Sequence, residues 1–316
     1  MRERGLFEPR PAFDILNVAF AVGLIGLTVG LLLSGAPFMT KLLGAAIFAF
    51  ITTQVGFVAH DAGHRQVFRR PFRNDLLLLS LGPLMGLSRS WWVDNHNAHH
   101  SNPNDLTRDP HTAIPAFAFS EEQARSKRGI MRLVTPYQAF YFFPMLLFQG
   151  IGIRIASVQH VLAGKARYPL AEAFVMVLHV LLYAALLLSV MAVWQATAFF
   201  LIHQGLMGLY MGSVFAPNHK GMALLDPDAR SDFLHEQILT TRNIRPHPVT
   251  DFLFGGLNYQ IEHHLFPNLP RNNLKAAREV VRSFCAERSI PYHETGVLGS
   301  YREVLTHLRL AGRAAV

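Results

Sequence analysis

Residues 42–64 read LLGAAIFAFITTQVGFVAHDAGH, an apolar run that passes without a break into His60-Asp61-Ala62-Gly63-His64. Crossing a bilayer core of roughly 30 Å takes about 20 apolar residues in a helix. If the helix continues into the histidines, His60 and His64 fall one turn apart on a single face. The expectation is a membrane-crossing helix that carries paired imidazoles at one end.

Three further segments have the same character, at about 14–34, 171–193 and 196–216, so the expected spans are these and 42–59. Ser34, Gly35 and Pro37 supply a tight turn for the first pair, and a turn near Trp194 and Gln195 joins the second. The fold class expected is all-α and integral to a membrane, with four transmembrane helices in two hairpins. Residues 60–168 and 217–316 form a helical cap that belongs to the same single domain. Two shorter apolar stretches, 76–87 and 139–153, are interrupted by Pro83, Pro144 and Gly150. They read as interfacial helices, with re-entrant pieces as the alternative. Helices are also expected at 121–132, capped by Ser120 with Gln123, and at 272–290, stopped by Pro291. A last helix would be opened by Ser300 with Glu303 and run to Gly312.

Composition agrees with a membrane protein. Of 316 residues, 51% are hydrophobic and 16% charged, against about 25% charged in soluble domains. The net charge of +8 is distributed on one side of the expected hairpins. Of the 29 basic residues, all but Lys41 precede span 1, lie between spans 2 and 3, or follow span 4. By the positive-inside rule both termini and the cap are cytoplasmic. Charge beside membrane spans accounts for the basic balance without nucleic acid. The run from about Phe13 is too long for the core of a signal peptide and lacks a small-residue cleavage site, so it is expected to remain as the first span. A single cysteine, Cys285, excludes an intrachain disulfide framework, a thiolate zinc site and an iron–sulfur cluster.

Sixteen histidines remain to be explained. Besides His60 and His64 there are His96-Asn97-Ala98-His99-His100 and Gln260-Ile261-Glu262-His263-His264, and Asn218-His219 follows span 4. At helical spacing each box projects two or three imidazoles towards one point. Imidazole suits iron, zinc, copper and nickel alike, so ligand type does not select the metal. Number narrows the choice: His60, His64, His96, His99, His100, His219, His263 and His264 are too many for one four-coordinate zinc. They fit two ions, best a pair of redox metals. Asp61, Asp94 and Glu262 stand beside ligand positions, where a carboxylate can orient an imidazole. Trp91 and Trp92 read as interface aromatics or as walls of an acyl channel. His111, His160, His235, His247, His293 and His307 read as structural, and His179 and His203 as partners in interhelical hydrogen bonds.

In these boxes the chain resembles the membrane-bound fatty acyl desaturases, and among them bacterial members of the front-end type. His60 to His64 match the first box, His96 to His100 the second, and Gln260 to Pro267 the third, in which glutamine replaces an initial histidine. The likeness extends to Asn218-His219, Gln237, residues 240–243 and the stretch from Phe284 to Tyr301. The resemblance implies two irons held by those eight histidines, dioxygen as co-substrate and two electrons from outside. Gln260 and Asn218 would touch the metals directly, through a water or behind the ligands, with Asp61 and Glu262 orienting imidazoles. With the first box at residue 60 no fused cytochrome is expected, so a separate ferredoxin or reductase would deliver the electrons. The substrate would be acyl-CoA or acyl-lipid, in a bacterial cytoplasmic membrane. Such a centre suits the chemistry, because an unactivated methylene offers neither an acidic proton nor a leaving group to acid–base or nucleophilic catalysis. A hydroxylase using the same centre, a membrane metal transporter and a membrane zinc hydrolase are the competing functions.

Overall fold

Prolines mark the helix starts. Pro11 and Pro169 occupy the first turns of α1 (Pro11–Leu33) and α10 (Pro169–Val190), where a missing backbone N–H leaves no hydrogen bond unmade. The computed structural model describes residues 1–225 and 232–315; Arg230, one of the basic residues after the fourth span, lies outside them. After α1 come α2 (Phe38–Gly63), α3 (Pro71–Ser80), α4 (Gly82–Met85) and α5 (Arg89–Ser101). Then follow α6 (Glu121–Ser126), α7 (Gly129–Val134), α8 (Gln138–Leu146) and α9 (Gln149–Leu162). Beyond α10 lie α11 (Val193–His219), α12 (Phe233–Leu239), α13 (Pro248–Leu253), α14 (Gln260–Leu265), α15 (Leu274–Glu287) and α16 (Val297–Gly312). Two short strands, β1 (Asn243–Ile244) and β2 (Glu294–Thr295), pair in parallel.

The chain divides into two compact units. One comprises Pro9–Asp94 and Met145–Gly212. Among the described residues four helices are long and apolar enough to cross a membrane, and this unit holds α1, α2, α10 and most of α11. Their inner faces close on Phe48, Ile51, Val55, Leu187 and Phe199. Their outer faces expose Leu16, Leu27, Leu170 and Leu182, a run of apolar surface that is stable against lipid rather than water. This is an all-α integral membrane fold. α2 and α11 run beyond the expected spans and carry His60 and His219 within their last turns. The second hairpin turns at Met191 and Ala192, ahead of the expected Trp194 and Gln195. The Gln195 side chain reaches back to accept from the Ala192 amide at 3.1 Å, which starts α11 early. Lys41 donates to the carbonyl of Val190 at 2.7 Å, placing a cation on the free end of α10.

Two contacts in this unit were not legible in the sequence. Glu172, in the first turn of α10, is fully buried and accepts from Ser88 Oγ at 2.5 Å and Ser90 Oγ at 2.6 Å. The amides of Ser90 and Tyr168 complete its shell at 3.0 and 3.2 Å, so the turn leading into α5 is tied to α10 by a fully engaged carboxylate. The second contact is a close approach of main chains. Residues 146–150, which lead into α9, press against α11 at its glycines. A Cβ on Gly208 would lie 2.4 Å from the Leu146 carbonyl oxygen, and one on Gly212 would lie 2.5 Å from Gln149 Oε1.

The other unit comprises Met1–Glu8, Asn95–Pro144 and Ser213–Val316. Its hub is Arg242, fully buried, which donates to the carbonyls of Pro217 and Lys220 and to Glu303. Three expected boundaries shift here. The helix expected at 121–132 breaks at Lys127 and Arg128 into α6 and α7; Ser120 caps α6 as expected, accepting from the Gln123 amide at 3.1 Å. α15 stops at Glu287, before Pro291, because Ser289 takes a left-handed conformation. α16 begins at Val297, so Ser300 lies inside the helix and Glu303 pairs with Arg242 and His293 instead of capping. The β1–β2 pairing delivers the chain to the helix at that point.

Gly208→Ala is expected to destabilise the protein by about 1–3 kcal/mol, the cost of forcing a group into a filled contact. Gly152, with nothing within 4 Å of its Cβ position, supplies the control, since Ala there should be neutral or stabilising. Thermal midpoints in detergent compare the two, and equal effects would refute the close approach.

Candidate metal centre

Within the second unit, six histidines from three helices form one cluster. α5 supplies His96, His99 and His100, α14 supplies His263 and His264, and α11 ends on His219. Ring centroids lie 4.5 Å apart for His99 and His219, 4.6 Å for His219 and His264, and 4.1 Å for His100 and His264. His96 stands 4.6 Å from His100, and His263 stands 4.7 Å from His100. All six except His96 are buried.

The outer nitrogens determine what the inner ones can do. His99 Nδ1 lies 3.0 Å from Asp109 Oδ2, His264 Nδ1 lies 2.8 Å from Gln237 Oε1, and His219 Nδ1 lies 3.3 Å from the Thr240 carbonyl oxygen. Each partner is an acceptor only, so each Nδ1 carries the proton and each Nε2 presents a lone pair. Ligand nitrogens of His99, His219 and His264 lie within 4.8 Å of one another, with His99 Nε2 and His219 Nε2 3.2 Å apart. Buried lone pairs directed at one another repel unless a cation stands among them. Neutral imidazoles whose far nitrogen donates to oxygen make up the ordinary donor set of a protein-bound metal, and these residues fit one.

The orienting residues are themselves fixed. Asp109 Oδ2 also accepts from the Asn104 amide at 2.9 Å, and Oδ1 accepts from the His111 amide at 2.8 Å. Burial would raise the Asp109 carboxyl, but the hydrogen bond from His99, with His99, His111 and Lys220 nearby, outweighs it and holds the group at about 2. Gln237 donates to the His100 carbonyl at 3.1 Å, so one amide joins α5 to α14. His111, expected to be merely structural, packs on His99 with ring centroids 4.3 Å apart and joins His99 and Asp109 in a second potential ligand triad. Sequence reasoning passed over Asp109. Its signal was an acidic residue beside a histidine, Asp109-Pro110-His111, nine residues after the second box.

Asn218 and Gln260 form a relay. Asn218 Nδ2 donates to the Leu257 carbonyl and to Gln260 Oε1, both at 3.1 Å. With its oxygen engaged, Gln260 turns Nε2 towards His219 Nε2 at 3.0 Å. The Glu262 carboxylate accepts from Asn243 at 2.7 Å and from the Tyr292 hydroxyl at 2.8 Å, and burial pushes it up to about 7. In the membrane unit, His60 and His64 lie with ring centroids 4.7 Å apart, and Asp61 Oδ1 is 3.5 Å from His60 Nδ1. Trp92 packs on both rings, and a Cβ on Gly63 would sit 2.0 Å from the indole, so only glycine fits between the two histidines.

Asp109→Asn keeps the volume and removes the charge that fixes His99. It should weaken metal binding about 10- to 100-fold, measured by chelator competition on the purified protein. Unchanged competition would show that Asp109 does not orient a ligand.

Comparison with known proteins places this geometry. The fatty acid desaturase family model matches residues 36–296. The chain is 35% identical over 285 residues to the Delta(6)-fatty-acid desaturase of Caenorhabditis elegans, covering 84% of this chain and 63% of that protein. It is 32% identical to the Delta(8)-fatty-acid desaturase of Euglena gracilis, covering 91% of this chain and 71% of that one. With the acyl-lipid (9-3)-desaturase of Physcomitrium patens it shares 27% identity over its whole length, which spans 61% of that relative. The histidine boxes, the apolar helices and the family match, continuous through both units, agree: the chain belongs to the fatty acid desaturase family.

Proposed function

We propose that this protein is a fatty acyl desaturase, which removes two hydrogens from adjacent acyl carbons with dioxygen and two external electrons at a pair of irons. The observation that carries this reading is the convergence of His99, His219 and His264, their protons held on the outer nitrogens and their lone pairs inward. Family membership favours iron over zinc, copper or nickel, all of which imidazole accepts. The proposed ligands are His60, His64, His96, His99, His100, His219, His263 and His264. The family match runs unbroken from residue 36 to 296, which supports one functional domain.

When bound, the irons supply the oxidising power that an unactivated methylene requires. This chain's residues set the conditions for it. Asp109, Gln237 and the Thr240 carbonyl keep three imidazoles in one tautomer, so no ring has to turn when a metal binds. Gln260, its direction fixed by Asn218, stands against the Nε2 edge of His219, where it would meet the metal directly, through a water or from behind the ligands. Asp61 stands beside His60 in a similar supporting role, and Glu262 tethers the third box through Asn243 and Tyr292.

The placement of basic residues supports a cytoplasmic metal-bearing face and cytoplasmic termini. Electrons then come from a soluble or membrane-associated ferredoxin or reductase, and the acyl chain arrives as acyl-CoA or acyl-lipid from the same side. Two of the relatives are named as Delta(6)- and Delta(8)-fatty-acid desaturases, and a front-end type is proposed for this chain as well.

Expression in a host, followed by profiling of fatty acid methyl esters, tests the reaction. A new double bond, located by mass spectrometry and absent without dioxygen, is expected. An inserted hydroxyl would identify a hydroxylase, and activity with zinc in strict anaerobiosis would overturn the oxidase reading. In the same host His99→Ala should insert normally, bind less iron and yield no product; full activity would remove His99 from the ligand set.

A further inference from the structure

A half-buried cation in the membrane unit plays no part in this chemistry. Arg154, on α9, directs Nη1 to the Gly150 carbonyl at 2.9 Å and to Gln204 Oε1 at 2.5 Å. The opposite edge of the guanidinium, formed by Nε–H and Nη2–H, has no oxygen acceptor. Among the described residues the buried Nε has no hydrogen-bond partner, and Nη2 reaches Met207 Sδ at 3.9 Å. That edge carries two parallel N–H groups, the geometry that matches the two oxygens of a carboxylate or phosphate. Among the described residues no carboxylate lies against Arg154.

The surrounding side chains provide no charge to balance it. Tyr183 donates its hydroxyl to His203 Nδ1 at 2.7 Å, so that nitrogen is an acceptor and the proton sits on Nε2, 3.3 Å from Thr52 Oγ1. Gln204 Nε2 approaches the same Nδ1 at 3.4 Å. Every partner in this network is neutral. A guanidinium stays charged, and in an apolar surrounding a charge without a counter-ion is expensive.

We propose that Arg154 is an anion-binding site for an amphiphile, gripping one anionic oxygen group, carboxylate or phosphate, through its Nε/Nη2 edge. The amphiphile is inferred from the walls. Arg154 is partly exposed, and the outward residues flanking it on α9 and α11 are apolar: Ile155 at 53%, Val158 at 44% and Leu201 at 56% exposed. An acyl tail lies against such a surface, whereas a hydrated inorganic ion does not. Two sources carry this chemistry, a free fatty acid and an anionic phospholipid.

The test uses the full-length protein, stripped of lipid in a neutral detergent. Its thermal midpoint is followed while oleate, phosphatidylglycerol, phosphatidylcholine or inorganic phosphate is added. Saturable stabilisation by oleate or phosphatidylglycerol is expected, and whichever acts at the lower concentration identifies the source. Phosphatidylcholine and inorganic phosphate should have little effect. In Arg154→Gln the half-saturating concentration should rise at least about tenfold, the loss of one charge-assisted contact. An unchanged response in that variant, or equal stabilisation by phosphatidylcholine, overturns the proposal. Should Arg154→Gln fail to insert, Arg154→Lys keeps the charge without the paired edge, and affinity equal to the native protein's would overturn the two-pronged grip.

Discussion

Three protons hold the site in place, those on Nδ1 of His99, His219 and His264. Each is donated to an oxygen that has no hydrogen to return: a carboxylate, a main-chain carbonyl and a side-chain amide oxygen. The other nitrogen of each ring is thereby left with a lone pair, and the fold turns these lone pairs inward. Without those acceptors each ring would be free to exchange tautomers, or to bind a proton in place of a metal. The histidines supply the inward nitrogens, and Asp109, Gln237 and Thr240 set which nitrogen of each ring that is.

The same requirement, that every buried polar group find a partner, shapes the apolar unit. A membrane provides no water to complete an unmet hydrogen bond, and three polar groups there are matched in detail. Lys41 meets the carbonyl end of α10, Glu172 is surrounded by four donors, and His203 is held between Tyr183 and Thr52. Against that background the open edge of Arg154 stands out. Glycine has the complementary role: at Gly63 an indole fills the place of a side chain between two histidines, and at Gly208 a main-chain carbonyl fills it.

Corrections to the sequence-based expectations share one cause, partners remote in sequence. Ser300 and Glu303 carry a capping signature, yet Glu303 is taken by Arg242 and His293. The chain is brought to Val297 by pairing with Asn243 and Ile244, fifty residues earlier. Glu172 lies in an apolar run whose hydropathy hides it, and its role depends on two serines some eighty residues before it.

Much of this protein was written in local pattern. Apolar length at 14–34, 42–59, 171–193 and 196–216 was enough for the spans, because a bilayer imposes one length and one polarity on any helix that crosses it. The i, i+3, i+4 spacing of His96, His99 and His100 was enough to put them on one side of α5, since helical geometry is the same everywhere. Local pattern could not contain the protonation of those rings. Which nitrogen of His99 carries hydrogen depends on Asp109, that of His219 on Thr240 and that of His264 on Gln237, each brought close by tertiary folding alone. Spacing nominated the candidate ligands; the fold sets which of their ring nitrogens turn inward.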